Sequence, residues 1–504
     1  MKRVNYFLFV LFFLVPVGAM AQTINYSDYD REDNRDINFE IIGKMNNKIL
    51  VYKNVRWKHK ISVYDDEMKN TETIKIDFIP EKTFNIDFVI YPDFFYMIYQ
   101  YQRKNLLHCM AVKMDDSGKP IGEPVELDTT QISILANNKI YTAISSEDKQ
   151  KIMLFKIQTR YQKISMTTIL FDNRLNLIKK SREVKEYNDR RENYGNFSVA
   201  NDGTFVFTYE KQAFNRENSN EFSLVTKAPQ EDEFVYHNIE TDKKYVDEIN
   251  LKIDNLNNRY ILNTFFYKRY RGSIEGLFTY IWDNTKGIAG AAEFTELYDS
   301  LRYEAKKDGQ LRFAFDNFLI RQVIVKRDGG FILSAEDFSS STRGNNNPYN
   351  RWDYLNNPSS FYSNSYYYYS PYYGYYRPSS SFNNQSTRYY ADNIVVFSIN
   401  KDGKKEWNKV IHKEQFDDDD DNFLSFSTMN SGGEIHYLFN NDKRNQIISD
   451  QSLSPDGSIK RNPTLKSRER GYEFMPRLSK QVGANQVIVP CAYRGFICFA
   501  KIDF

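Results

Sequence analysis

The sequence predicts an all-β chain, folded as a β-propeller of seven or eight four-stranded blades with a long Tyr-rich insertion. Three observations predict it. Tyr and Phe number 38 each against 22 Gly and 14 Pro, a composition that suits packed sheet and not disorder. Short apolar runs alternate with tight-turn residues along almost the whole chain. The first turns of successive units fall near 47, 93, 138, 202, 258, 329, 432 and 484, evenly enough for one repeated unit where no insertion intervenes. A four-stranded sheet cannot cover both of its own apolar faces, so neighbouring units must stack around an axis.

The chain opens with Lys2 and Arg3, an apolar stretch over 7–17, and Ala19-Met20-Ala21. That order is a secretory signal peptide, residues 1–21, too short and wrongly flanked to span a membrane. With no Cys just after it, a lipid anchor at Gln22 is not expected. A polar leader, 22–36, is expected to wrap the outside or pair late, and it could supply a strand that the last unit lacks. The propeller domain then occupies 37–504, with no further apolar run long enough for a transmembrane helix.

The clearest unit is the hairpin over 394–411, where an apolar strand runs into Asn400-Lys401-Asp402-Gly403 and returns through Trp407 and Val410. Asp-Gly between apolar runs is a hairpin signal, because Gly takes the positive φ that the turn needs. In chain order, the first unit, 37–79, turns at Asn46-Asn47, and the second, 84–127, at Pro92-Asp93. The third, 131–184, is read with strands 132–136 and 139–145 around Asn137-Asn138. The fourth, 194–241, turns at Asn201-Asp202-Gly203, and the fifth, 246–297, at Asn257-Asn258. The sixth begins near 318 with Asp328-Gly329-Gly330 and resumes at the 394–411 hairpin. The seventh, 423–465, and an eighth, 473–504, whose first strand is read over 474–479, complete the ring.

Residues 339–390 interrupt the sixth unit with Ser, Asn, Pro and Tyr and almost no aliphatic side chain. Such a segment builds no core and serves as a loop or an adhesive arm. Its candidate partner-binding residues are Arg351, Trp352, Tyr354, Tyr366, Tyr367, Tyr368, Tyr369, Tyr372, Tyr373, Tyr375 and Tyr376, since Tyr offers broad amphipathic contact at low entropic cost. The other concentrated feature is Asp417, Asp418, Asp419, Asp420 and Asp421, whose carboxylates could ligate Ca²⁺ or form a solvated loop.

No phosphate loop, dinucleotide fingerprint, nucleophile elbow or zinc-helix motif occurs, and the five His are scattered without metal spacing. An enzyme reading would need carboxylates converging at the propeller mouth, and no spacing selects them. With 68 basic and 66 acidic residues, nucleic acid is not an expected partner. Cys491 and Cys498 flank a turn at Arg494-Gly495 and fall opposite each other on a hydrogen-bonded pair. The wider spacing there is expected to strain a disulfide, leaving two small buried residues.

The recurring turns and the hairpin over 397–407 cover nearly all of the chain beyond residue 36. On those residues the chain resembles exported, repeat-rich β-propeller proteins of Gram-negative bacteria, among them accessory proteins of outer-membrane secretion machinery such as the type IX system. The resemblance implies a periplasmic or outer-membrane-associated interaction scaffold whose partner is an envelope protein or a secretion-machinery component. With Phe504 ending the last unit and no sorting domain apparent, residence in the periplasm or at the inner face of the outer membrane is expected in place of export through such a system. Two alternatives stand beside it: a carbohydrate-binding or carbohydrate-active propeller with a glycan partner, and an outer-membrane β-barrel. The barrel is raised by Phe504 and the alternation of Ile502, Ala500, Cys498 and Phe496, but charge on both faces of many strands opposes it.

Overall fold

A computed structural model of the chain describes residues 23–31, 37–133, 140–188, 191–212, 219–270, 272–306, 310–342, 387–418, 421–441, 444–467 and 471–504. It is an eight-bladed β-propeller of four-stranded antiparallel blades. Blade 1 is Ile37–Met45, Lys48–Val55, Lys58–Tyr64 and Asn70–Lys75, and blade 2 is Thr83–Ile90, Phe94–Arg103, Leu106–Asp115 and Val125–Gln131. Blade 3 is Tyr141–Ser145, Lys151–Arg160, Lys163–Asp172 and Leu177–Glu186. Blade 4 is Glu192–Val199, Phe205–Gln212, Ser219–Lys227 and Val235–Ile239, and blade 5 is Asn250–Asp254, Arg259–Tyr267, Gly276–Asp283 and Ile288–Glu296. The short strand Tyr245–Val246 pairs with both and joins them into one sheet. Blade 6 is Phe318–Val325, Phe331–Thr342, Thr387–Ile399 and Lys405–Ile411, and blade 7 is Phe426–Ser431, Glu434–Asn440, Ile447–Leu453 and Ile459–Arg461.

Blade 8 closes the ring. Its inner and middle strands are Lys480–Gly483, Gln486–Tyr493 and Phe496–Asp503, and its outer strand is Thr23–Tyr26 from the leader, in register Thr23↔Asp503 to Tyr26↔Ala500. The pairing continues past the strand, where Ser27 N–H donates to the Phe499 carbonyl at 2.8 Å and Asp30 N–H to that of Ile497 at 2.8 Å. Asp30 then reaches blade 1, with Lys53 Nζ at 2.6 Å and Lys60 Nζ at 3.5 Å. Lys53 is 1 % exposed. Burial works against its ammonium, but the Tyr64 oxygen and the Asp30 carboxylate outweigh it and hold the pKa above the ordinary lysine value.

Strand alternation sends the two faces of each blade into different interfaces. On Lys48–Val55, Ile49 and Val51 pack with Ile488, Ile497 and Phe499 of blade 8. Leu50 and Tyr52 pack with Phe88, Phe95 and Met97 of blade 2. The same arrangement repeats between blades 2 and 3, 3 and 4, 4 and 5, 5 and 6, 6 and 7, and 7 and 8.

One turn recurs through the ring: a residue at positive φ donates its N–H to the carbonyl three residues earlier, the geometry of a three-residue hairpin loop. Gly403, at φ +81°, closes on Asn400 at 3.0 Å, and Asn400 Oδ1 accepts the N–H groups of Asp402 and Lys404. Gly118, Gly203, Gly329 and Gly457 do the same, but so do Met68 at φ +65°, Lys149 at +61° and Leu175 at +62°. A Cβ on Gly457 would lie 3.0 Å from the Trp407 ring, so this turn also seats blade 7 against blade 6.

The third unit is shifted by one strand from its sequence reading. Its first turn is Ser146–Lys149, and the polar strand Leu177–Glu186 is its fourth. Lys149 stands where Gly203 and Gly329 sit in the first turns of blades 4 and 6, and residues 134–139 lie outside the described residues. In the eighth unit, Pro476 opens a 3₁₀ turn, Pro476–Leu478, so the expected strand over 474–479 becomes Tyr472–Phe474 and Lys480–Gly483. The barrel alternative is overturned: the strands form separate stacked sheets and not one closed cylinder. A helix, Asp299–Ala305, that sequence periodicity did not announce links blades 5 and 6. No helix among the described residues is long and apolar enough to cross a membrane.

Asp30→Ala strands a buried ammonium at the ring's closure. The expected loss is about 3–5 kcal/mol of unfolding free energy in denaturant melts. Adding Lys53→Met should recover much of that loss.

Candidate functional site

Blade 6 departs from its neighbours. Its two central strands, Phe331–Thr342 and Thr387–Ile399, are 12 and 13 residues long, and their ladder runs past the blade. From Phe331↔Ile399 to Glu336↔Ile394 they are ordinary blade strands; the register then shifts and continues from Phe338↔Ala391 to Thr342↔Thr387. The blade's outer strand pairs no farther than Ile394. Beyond it a short strand, Gln415–Asp418, takes its place against Arg388–Ala391. The result is a three-stranded stalk, and the insertion leaves from its end. The insertion is therefore shorter than 339–390, since 339–342 and 387–390 are strand.

A buried charge cluster anchors the stalk. Glu336, 0 % exposed, accepts from Arg321 Nε at 2.7 Å and from the Ser425 hydroxyl at 2.6 Å, and faces Lys413 Nζ at 2.8 Å. Burial works to raise the Glu336 pKa, but Lys413, Arg321 and Ser425 outweigh it and hold the carboxyl below its ordinary value. Lys413 also donates to the Ala391 carbonyl at 2.6 Å and to Gln415 Oε1 at 2.8 Å. Gln415 in turn donates to the Asn440 carbonyl at 2.9 Å and accepts from Ser425 N–H at 2.9 Å, which ties the stalk to blade 7. Leu319, Phe338, Ala391 and Leu424 pack beside this cluster.

The structure brings together the root of the insertion and the start of the acidic run, joined by Arg388 and Asp418, which stand 30 residues apart in sequence. Asp418 takes a two-pronged contact from Arg388, Nε to Oδ1 at 2.7 Å and Nη2 to Oδ2 at 2.9 Å, and that contact holds its carboxyl below the ordinary range. Asp417 Oδ2 accepts from Asn445 at 3.4 Å, and Asp421 meets Arg477 Nη1 at 2.9 Å. Asp419 and Asp420 lie outside the described residues. Among the described residues no group of three or more His, Cys, Asp or Glu could hold a metal ion. Arg351, Trp352, Tyr354, Tyr366 to Tyr369, Tyr372, Tyr373, Tyr375 and Tyr376 all lie outside the described residues.

Sequence reasoning missed a second set of ionisable groups, buried near the ring's inner strands. Glu40 on blade 1 is 2 % exposed, and burial raises its pKa against the pull of Lys480 on blade 8. Lys480 Nζ donates to the Ile41 and Ile42 carbonyls at 3.0 Å each, where the ladder of blade 1 shifts register. Asp87 on blade 2 is pushed to about 7 by burial, and its carboxylate accepts from Ala143 N–H of blade 3 at 3.4 Å. Asn196 does the equivalent between blades 4 and 5, donating to the Ile249 carbonyl at 2.7 Å. These side chains satisfy backbone groups that irregular inner strands leave open. Neither their spacing nor their neighbours in sequence mark them.

No protein-family model and no curated protein matches the chain. Solved structures do resemble it. Sqt1 of Saccharomyces cerevisiae shows 8 % identity, a TM-score of 0.42, and coverage of 94 % of this chain and 98 % of its own. Prolyl oligopeptidase B of Galerina marginata shows 10 % identity, a TM-score of 0.41, and coverage of 92 % and 56 %. The chain thus spans about half the length of that enzyme. The β-propeller domain of the trilobed protease of Pyrococcus furiosus shows 10 % identity, a TM-score of 0.37, and coverage of 87 % and 97 %.

Glu336→Ala leaves two cations facing each other in the core, and a loss of about 3–5 kcal/mol in denaturant melts is expected. Faster amide exchange over 415–418 should accompany it. A pH dependence follows from Glu210 on blade 4, which is 4 % exposed, and which burial and the Asp247 carboxylate push to about 8. The native state keeps a proton that the unfolded chain releases near 4.5, so this contribution is complete below that value and lost as pH rises through about 8. Glu210→Gln should flatten the decline of stability between those two values, read from melts at a series of pH values.

Proposed function

We propose that the chain is a non-catalytic interaction scaffold: a rigid ring whose sixth blade presents the segment 343–386 to a protein partner. The stalk carries this reading. A propeller blade needs no strands longer than its neighbours' and no buried ion cluster at their base. Each of these features stiffens the point from which the Tyr-rich segment departs. A long adhesive segment on a rigid mount loses less freedom on binding than the same segment on a flexible one. Aromatic side chains on it would supply the anchoring contacts.

The partner in this proposal is an envelope protein, with a component of outer-membrane secretion machinery of the type IX kind as the specific class. The site of action is the periplasm or the inner face of the outer membrane. The signal-peptide pattern of residues 1–21 and the resemblance to exported propellers support that placement. The test is affinity capture from a native envelope with two forms of the chain, one complete and one with 343–386 replaced by a short Gly-Ser link. The expected outcome is loss of the main captured protein with the shortened form, at unchanged melting temperature. An identical captured set from both forms would remove the arm from the account.

A further inference from the structure

We propose that Cys491 and Cys498 form a disulfide site that staples the middle of the closing blade, made by exchange with a disulfide-bearing oxidant and undone by thiols. The two residues face each other on the hairpin Gln486–Tyr493 and Phe496–Asp503, in register Cys491↔Cys498. The two-residue turn between the strands has Arg494 at φ +52° and Gly495 at +82°, which fixes the register. Both side chains are thiols in the structure, with the sulfurs 2.9 Å apart and Cys498 donating to the Cys491 carbonyl at 3.4 Å. Opposed residues on a hydrogen-bonded pair sit about 5.5 Å apart at Cα. That is the spacing disulfides most often span, so the expected strain does not arise from the backbone distance. Closing the bond takes roughly an ångström of sulfur movement and no change of register.

The location gives the bond its consequence. Both residues are 0 % exposed in the core between blades 7 and 8, beside Met429, Val489 and Ala500. Cys498 lies on the strand against which Thr23–Tyr26 zips the ring shut. A link there ties the two middle strands of the closing blade to each other and holds in place the strand that receives Thr23–Tyr26. Burial raises the Cys491 thiol pKa, so exchange proceeds when the hairpin frays and not in the fully packed state. In that opened state the Cys491 thiolate attacks the oxidant's disulfide, forming a mixed disulfide and expelling one thiolate. The Cys498 thiolate then displaces the second, giving the Cys491–Cys498 bond. Two protons leave the protein thiols and the oxidant ends as two thiols.

Cys109 is the third cysteine of the chain, buried alone between blades 2 and 3, and serves as an internal count. The folded protein is incubated with oxidised glutathione, unfolded in acid, and its free thiols are alkylated and weighed. The expected result is one alkylated cysteine per chain, Cys109, and a Cys491–Cys498 cross-linked peptide after digestion. The oxidised form should melt about 2–4 °C above the reduced one. Cys491→Ser and Cys498→Ser should each abolish that difference. Three alkylated cysteines after oxidation, a bridge to Cys109, or retained glutathione would each overturn the proposal. Should either variant fail to fold, the thiol count on the natural chain decides alone.

Discussion

Each blade is apolar on both faces, and the ring follows from that constraint. The blade 1 face turned toward blade 8 carries Ile37, Phe39, Ile41, Ile49, Val51 and Tyr64, all buried. Left uncovered, six such side chains would forfeit on the order of 10 kcal/mol or more, at about 1.5–3 kcal/mol each. Ordering a few leader residues costs only about 1–2 kcal/mol apiece in backbone entropy. Blade 8 covers this face with Ile488, Ala492, Ile497 and Phe499, and Thr23–Tyr26 completes that blade by pairing with Phe496–Asp503. Asp30 adds an ionic clasp at the same seam, where Lys53 would otherwise be buried without a counter-charge.

The ring's closure lets blade 6 carry a long insertion. Closed rings tolerate a long insertion between two strands of one blade, since the neighbours hold the blade's faces whatever leaves its edge. Here the two strands are prolonged and braced before the insertion begins, and the brace is made of charge. Arg321, Glu336 and Lys413 sit in a region that apolar side chains could fill more cheaply, because desolvating ions is expensive. What the ions supply is direction: Lys413 and Gln415 reach Ala391, Asn440 and Ser425 at defined angles, which apolar contacts would not dictate.

Much of the architecture was legible in the residues. Asn46-Asn47, Asn257-Asn258, Asp402-Gly403 and Asp456-Gly457 mark turns because few other residues accept positive φ without cost. The leader's pairing was legible too, from a last unit one strand short. Where Lys149 occupies the left-handed position that Gly203 and Gly329 hold in blades 4 and 6, the glycine marker is missing, and the sequence places the third unit one strand out of phase. The helix Asp299–Ala305 and the 3₁₀ turn at Pro476 were likewise masked, being shorter than the periodicity that would reveal them. At the candidate site, the acidic run was visible as charge, but its partners Arg388, Asn445 and Arg477 were not.

By itself the sequence determined that this chain is a ring of small sheets, because alternation and turn chemistry act over a few residues and are written wherever those residues stand. Only the tertiary structure decided which distant groups meet: Asp30 with Lys53, Glu336 with Arg321 and Lys413, Glu40 with Lys480. Such pairs lie on different strands or blades, and their encounter depends on how many blades the ring holds and in what register each strand sits. Those are properties of the closed assembly, and no stretch of a few residues contains them.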